Sequence, residues 1–364
     1  MFREVEIQNY RGLAHEKIGP LAGVNLITGK NGSGKSSFLE AIFLNAGGSN
    51  PNLAPMMSAF RGENRLSHLI DTPFRLFFDL QDLKPAKINA TWNGRKRRLV
   101  IHPLSSTIGV VGASSTKALL SGVRLNFKGP SGASTGQIEI KPPILPGIQV
   151  GADLATGQNA APPAGPSVSF SSSGQSDVVN GHFIPPYQID LFEQVHQQIT
   201  KLTKEKRIGD LVAMMKGIEP SISNIFALSE TNMNEIYLDI GRNYLMPLSG
   251  VGAGFFNLLK ICAGITTNPR DGIFIVDEIE NGIHHTLLKD LAKIVIDGSR
   301  SAGIQCFCST HSGEMISAFA EAASELNFHD LCVVRFTRTE AGRRSTVFRG
   351  GEIGTALAID GELR

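Results

Sequence analysis

Residues 29–36 read GKNGSGKS, with GVNLIT (23–28) ahead of them and FLEAIFLNAGG (38–48) behind. Every fixed position of the phosphate-binding pattern G-x-x-x-x-G-K-[ST] is present, and so is its context. GVNLIT is a short apolar strand. Phe38, Leu39, Ile42 and Phe43 recur at helical spacing, and the glycines at 47 and 48 stop that helix. In such a loop the glycines let the backbone wrap a phosphate chain. Gly29, Lys30, Asn31, Gly32, Ser33, Gly34 and Ser37 then line the nucleotide, Lys35 reaches its β and γ oxygens, and Ser36 offers a hydroxyl to Mg²⁺. A chance glycine-rich turn would have to meet all of these conditions at once. The expected ligands are ATP and Mg²⁺.

Three later stretches bear on the same chemistry. GIFIVDEIENG (272–282) holds four apolar residues, Ile273 to Val276, and then Asp277 and Glu278. Acidic residues at the C-terminal end of a buried strand sit where open α/β sheets bind ligands. Asp277 is the expected Mg²⁺ residue and Glu278 the expected general base that orients the attacking water. CFCSTHSGE (306–314) ends another apolar strand with His311, placed to hydrogen-bond a γ-phosphate. LSGVGAG (248–254) is a second glycine-rich turn opening an apolar helix, another phosphate-binding device, with Ser249, Gly250, Gly252 and Gly254 as its candidate contacts.

Composition constrains the rest. The chain has 364 residues, 41% hydrophobic and 19% charged, with a net charge of +2, so nothing global demands a nucleic-acid or membrane partner. No apolar run approaches the ~18–20 residues needed to cross a bilayer. The start, MFREVEIQNYRGL, alternates like a strand and is no signal peptide. Cys262, Cys306, Cys308 and Cys332 fall in apolar runs and read as core packing rather than metal ligands, which points to the cytoplasm.

Strand candidates FRLFFDL, AKINATW and RRLVIHP follow the first helix, with Asn93-Gly94 a hairpin signal between the last two. Residues 104–182 are rich in Gly, Ser, Pro and Ala. They read as an insertion that keeps strands at VRLNFKG and QIEIK and contains a mobile loop at 160–176. Beyond it come helical sequence with glycine punctuation at 209 and 217, the strand NEIYLDIG, a helix from about 284 to 297, and a final hairpin. Strands alternating with helices argue for an α/β core with an antiparallel annex.

The order P-loop, LSGVGAG, DE, His resembles the ATP-binding-cassette (ABC) ATPases. A finer resemblance, to the RecF/SMC-like branch and its stand-alone OLD-like ATPases found beside defence genes, is carried by IQNYRGL, FLEAIFLNAGGSNPNL, PLSGVGAG, VDEIENGIH and the closing DGELR. It covers residues 1–103 and 183–364. It implies a P-loop NTPase head with a mixed central sheet, an antiparallel β subdomain and a helical subdomain. It also implies a head-to-tail homodimer, in which the LSG turn of one chain caps the ATP held by the other. Val251 to Gly254 depart from the family's signature. OLD nucleases continue into a Toprim domain, for which the roughly fifty residues after His311 leave no room. The resemblance therefore implies a separate effector protein. It also implies a glutamine that reads Mg²⁺ and γ-phosphate: Gln188, with Gln81 as rival. Arg11 contacts nucleotide or is structural, and the basic run Arg95–Arg98 is a solvated turn or a DNA or partner contact. The expected function is an ATP-hydrolysing switch in a prokaryotic defence or DNA-maintenance system. The alternatives are a DNA-repair ATPase that clamps DNA directly, or a scaffold with little turnover.

Overall fold

The strand alternation expected at the N-terminus is present. The structure, a computed structural model, describes residues 1–61, 76–77, 84–110, 116–141, 148–150, 167–186, 191–230, 233–339 and 342–354. The first part of the chain forms β1 (Phe2–Tyr10), β2 (Leu13–Ile18), β3 (Val24–Thr28), α1 (Lys35–Ala46), α2 (Leu53–Ala59), β4 (Ala86–Trp92) and β5 (Arg95–Val110). Next come β6 (Thr116–Gly129), β7 (Gly132–Lys141), β8 (Ile148–Val150), β9 (Ser167–Gly174) and β10 (Gly181–Ile184). These lead to α3 (Leu191–Lys204), α4 (Ile208–Lys216), β11 (Asn224–Glu230), β12 (Met233–Asp239), β13 (Met246–Pro247) and α5 (Ala253–Thr267). The last elements are β14 (Ile273–Val276), α6 (Leu288–Ala302), β15 (Gln305–Ser309), α7 (Gly313–Glu325), β16 (Leu331–Thr339) and β17 (Gly342–Arg349).

The central sheet runs β10-β14-β15-β3-β16-β17. All neighbours are parallel except the β16–β17 hairpin. Its inner strands are buried throughout because both faces are covered: β14 is an unbroken apolar run, and the polar Asn25, Thr28, Gln305 and Ser309 of β3 and β15 are buried with their strands. Leu26, Phe274, Val276, Cys306 and Cys308 enter a core shared with α3 to α7, while Ile27, Ile273, Ile275 and Phe307 enter one shared with α1 and the antiparallel strands. All four cysteines are free and buried, as packing residues. No helix among the described residues is long and apolar enough to cross a membrane.

A second sheet, β2-β1-β4-β5-β6-β7-β9 with β8 on β5, forms the antiparallel subdomain over α1. The β4–β5 turn is the Asn93-Gly94 hairpin, both residues with positive φ. The stretch read as an insertion is largely built into this sheet. β5 runs on past residue 104, and VRLNFKG and QIEIK lie in β6 and β7. The expectation of a mobile loop at 160–176 needs correction, because Ser167–Gly174 is a strand paired along its length with β7. Serine alternating with Val168 and Phe170 satisfies a half-exposed strand, although the composition resembles a linker. Residues 160–166, and the FRLFFDL strand apart from Leu76 and Phe77, lie outside the described residues.

The helical side carries α3 to α7 and the small sheet β11-β12-β13. Gly209 lies inside α4 rather than at a break, and the chain turns at residues 205–207. The helix expected at about 284–297 begins as a 3₁₀ turn at His285–Leu287 and continues to Ala302, where Gly303 takes the left-handed conformation.

Candidate functional site

Because β3, β14 and β15 are parallel neighbours, their C-terminal ends share one edge of the sheet. The glycine-rich loop leaves that edge after Thr28. Gly29 has φ +137°, and a side chain there would meet the Phe336 carbonyl oxygen at 2.3 Å, so only glycine fits. Gly32 has φ +74° with nothing within 4 Å of where a Cβ would stand, leaving its outer side open. Lys35 begins α1 and is buried. Its Nζ donates to the carbonyl oxygens of Gly29 at 2.6 Å and Lys30 at 3.3 Å. Burial lowers the Lys35 pKa, and the charges of Asp277, Glu278 and Glu280 oppose that shift. The hydroxyl of Ser33 is buried inside the loop with no hydrogen-bond partner. Ser36 is half-buried on the first turn of α1. The open rim, the unpaired hydroxyl and a lysine resting on weak carbonyl acceptors together fit a phosphate chain.

Asp277 is buried directly after β14 and accepts a hydrogen bond from the Ser309 hydroxyl. The same Ser309 oxygen accepts from the Glu278 backbone N–H at 2.8 Å. Glu278 has φ +58°, a left-handed conformation that costs a non-glycine residue about 1–2 kcal/mol. The turn is held by Ile279 N–H donating to the Ser309 carbonyl at 3.0 Å and by Asn281 N–H donating to the Glu278 carbonyl at 3.0 Å. A strained backbone fixed by neighbours in this way aims the Glu278 side chain. His311 follows β15, half-exposed. Its Nδ1 lies 3.3 Å from Glu280 Oε1, which also accepts its backbone N–H at 3.1 Å. Glu280 Oε2 is buried without a partner.

The LSGVGAG segment forms a 3₁₀ turn at Leu248–Gly250, and Gly252 caps α5. Leu248 is buried, while Ser249, Gly250 and Gly252 are exposed. Gly254 is different: a Cβ there would stand 2.5 Å from the Gly282 carbonyl oxygen, so helix α5 lies against the acidic turn of its own chain. Asn257 Nδ2 donates to the Asn281 carbonyl at 2.7 Å and tightens that contact.

The structure brings together the P-loop, Asp277, Glu278 and His311. Gln188 and its rival Gln81 lie outside the described residues. Arg11 has a structural partner: its Nε lies 2.7 Å from Glu40 on α1, both side chains are buried, and Arg61 holds the other Glu40 oxygen at 2.8 Å, while Arg11 Nη2 is buried with no hydrogen-bond partner. The basic run divides. Arg97 is buried and donates to the carbonyls of Asn45, Ala46 and Asp177, whereas Arg95, Lys96 and Arg98 are exposed. Sequence reasoning missed Ser309, Glu280 and Asn257. It also missed Lys260, a buried lysine 5.3 Å from the Phe256 ring, whose pKa burial lowers to about 8. Lys260 and Asn257 line a small cavity beside Asp277 and Glu278.

The chain is similar to several known proteins. A family profile described as "AAA domain" matches residues 4–134, and another described as "AAA domain, putative AbiEii toxin, Type IV TA system" matches residues 164–317. An "ATP/GTP phosphatase" of Helicobacter pylori is 22% identical over 342 residues, 90% of either chain. The "DNA replication and repair protein RecF" of Nitrosococcus oceani is 52% identical over 40 residues, 11% of either chain. The crystal structure of "the SmcHead bound to the C-winged helix domain of ScpA" superposes with TM-score 0.50 at 13% identity, covering 98% of this chain and 99% of that one, which shows a common fold. The protein is a P-loop ATPase. Within that class it is similar to the ABC-type ATPases of the RecF/SMC-like branch.

Proposed function

We propose that the chain works as an ATP-driven switch, two copies closing head to tail around two nucleotides and reopening after hydrolysis. The N–H groups of Gly29–Ser37 and the Lys35 ammonium hold the phosphates. Ser36 and Asp277 offer oxygens to Mg²⁺, which when bound neutralises phosphate charge and polarises the γ-phosphate. Glu278 orients the attacking water and takes its proton, and His311, steadied by Glu280, hydrogen-bonds the γ-phosphate. Gln188 is proposed as the sensing glutamine. The observation that carries the dimer reading is the exposure of Ser249, Gly250 and Gly252, on the turn that leads into a helix locked by Asn257 to its own chain's acidic turn. Small exposed residues at the N-terminus of a helix suit a phosphate brought by a partner. Residues 1–103 and 183–364 would form the head, with strands from 104–182 extending its antiparallel sheet.

The reading extends to an OLD-like, antiphage role in the cytoplasm through a separate effector, and the toxin–antitoxin wording of the second profile supports its defence part. Direct DNA binding is a second reading, favoured by Arg95, Lys96, Arg98 and Lys128, all exposed on the antiparallel subdomain, with Arg98 directly opposite Lys128. Turnover measured with and without duplex DNA separates the two, with a native pull-down identifying the effector. DNA stimulation lost on Arg98→Ser and Lys128→Ser supports direct binding. Turnover indifferent to DNA, with a stoichiometric second protein recovered, supports the effector reading. No ATP turnover in either condition would overturn the switch.

A further inference from the structure

The phosphate loop has a second cation beside it, contributed by the far end of the chain. Arg343 stands at the start of β17, which lies on the edge of the central sheet and pairs with β16, itself the neighbour of β3. Its Nη2 donates to the carbonyl oxygen of Gly32 at 3.1 Å. Its guanidinium also covers Gly12, where a Cβ would meet Nη1 at 2.7 Å, and its Cδ passes 3.7 Å from the Cβ position of Gly34. The side chain therefore lies between the β1–β2 turn and the P-loop, against the Gly32 carbonyl, and leaves the open side of Gly32 free.

Its bonding there is incomplete. Nε is buried with no hydrogen-bond partner, and among the described residues no carboxylate forms an ion pair with the guanidinium. Glu16 feels the Arg343 charge but forms no ion pair with it, and is engaged instead by the Ser345 hydroxyl at 2.9 Å. Lys35 rests in the same way, on the carbonyls of Gly29 and Lys30. A neutral carbonyl is a poorer acceptor for a guanidinium than a phosphate oxygen, which forms shorter charge-assisted bonds and accepts a planar fork in pairs. Two cations thus sit on carbonyls of one loop, at Gly29–Lys30 and at Gly32.

We propose that Arg343 is a nucleotide-binding residue, exchanging the Gly32 carbonyl for the α/β-phosphate end of the bound nucleotide while Lys35 holds the β/γ end. This rests on the ATP site described above and adds to it a contact from outside the P-loop.

The test is binding of ATP, ADP and adenosine to the full chain by calorimetry, for wild type, Lys35→Ala, Arg343→Gln and Arg343→Lys, with melting of each protein free of nucleotide. Loss of one charge-assisted contact should weaken ATP and ADP by about ten- to a hundredfold in Arg343→Gln. Adenosine binding should not change, Arg343→Lys should recover part of the loss, and the nucleotide-free melting temperature should stay within about 2 °C of wild type. Equal affinity of wild type and Arg343→Gln for ATP and ADP, with Lys35→Ala impaired, would overturn the proposal and leave the ATP site standing. Equal weakening of adenosine and ATP, or a large fall in nucleotide-free melting, would make Arg343 a structural residue. No ATP binding by wild type would overturn both.

Discussion

Ser309→Ala removes one oxygen that performs two tasks. In the native chain it donates to the buried Asp277 carboxylate and accepts the Glu278 N–H at 2.8 Å, with Ser309 itself fully buried. A hydrogen bond to a charged group contributes about 1.5–3 kcal/mol, and a buried N–H left without a partner costs about 1–3 kcal/mol. Some relaxation offsets the sum, so we expect a loss of about 2–4 kcal/mol, seen as a fall of roughly 3–8 °C in melting temperature. The functional effect should be larger. Glu278 sits at φ +58°, and losing one of the bonds that hold it lets the backbone return toward negative φ, moving the carboxylate. We expect kcat for ATP hydrolysis to fall at least about tenfold, 1.4 kcal/mol in barrier, while ATP affinity stays within about threefold because the P-loop is untouched. Steady-state hydrolysis and calorimetric ATP binding measure the two. Unchanged kcat with unchanged melting would mean that Ser309 does not position the acidic pair.

Lys35→Ala should lose the Mg-ATP-dependent thermal shift, whereas Glu278→Gln should keep it and lose turnover; at a hundredfold excess over Kd that shift corresponds to about 2.7 kcal/mol. Arg97→Met should destabilise by about 3–5 kcal/mol in urea, since it leaves the carbonyls of Asn45, Ala46 and Asp177 without their buried donor, and Arg98→Ser should cost under about 0.5 kcal/mol. The reverse ranking would mean that the basic run has been divided wrongly. Burial lowers the His182 pKa to about 4, where the ring stacks on Phe274. The unfolded chain binds a proton near pH 6.5 that the fold refuses, so stability should fall as pH drops from about 6.5 to 4, by up to about 3 kcal/mol. His182→Phe should flatten that slope in denaturation midpoints taken across the range.

The central strands were legible because β3, β14 and β15 bury both faces and so are mostly apolar, β14 wholly so. The P-loop was legible because its glycines are required by positions such as Gly29, where a side chain would strike the Phe336 carbonyl. β9 was hidden by serines that suit a half-exposed strand as well as a linker. Helix α7 had a signal that went unused: Ser312 caps it, accepting from Met315 N–H, ahead of Ile316 and Phe319 at helical spacing. Ser309, Glu280 and Arg343 carry no local motif. They reach the loop through strand pairing that joins residues far apart in sequence. Arg11 and Arg97 show the converse, since sequence marks a charge without saying whether Glu40 or a helix end awaits it.

The central claim is that LSGVGAG caps a nucleotide held by a second copy. It is tested most directly by the mass of the particle in solution, measured by light scattering on Glu278→Gln with Mg-ATP and on the same variant carrying Ser249→Arg. A nucleotide-dependent dimer is expected for the first and a monomer for the second. Equal dimerisation of the two proteins would contradict it, and would leave the loop as a cap for its own helix.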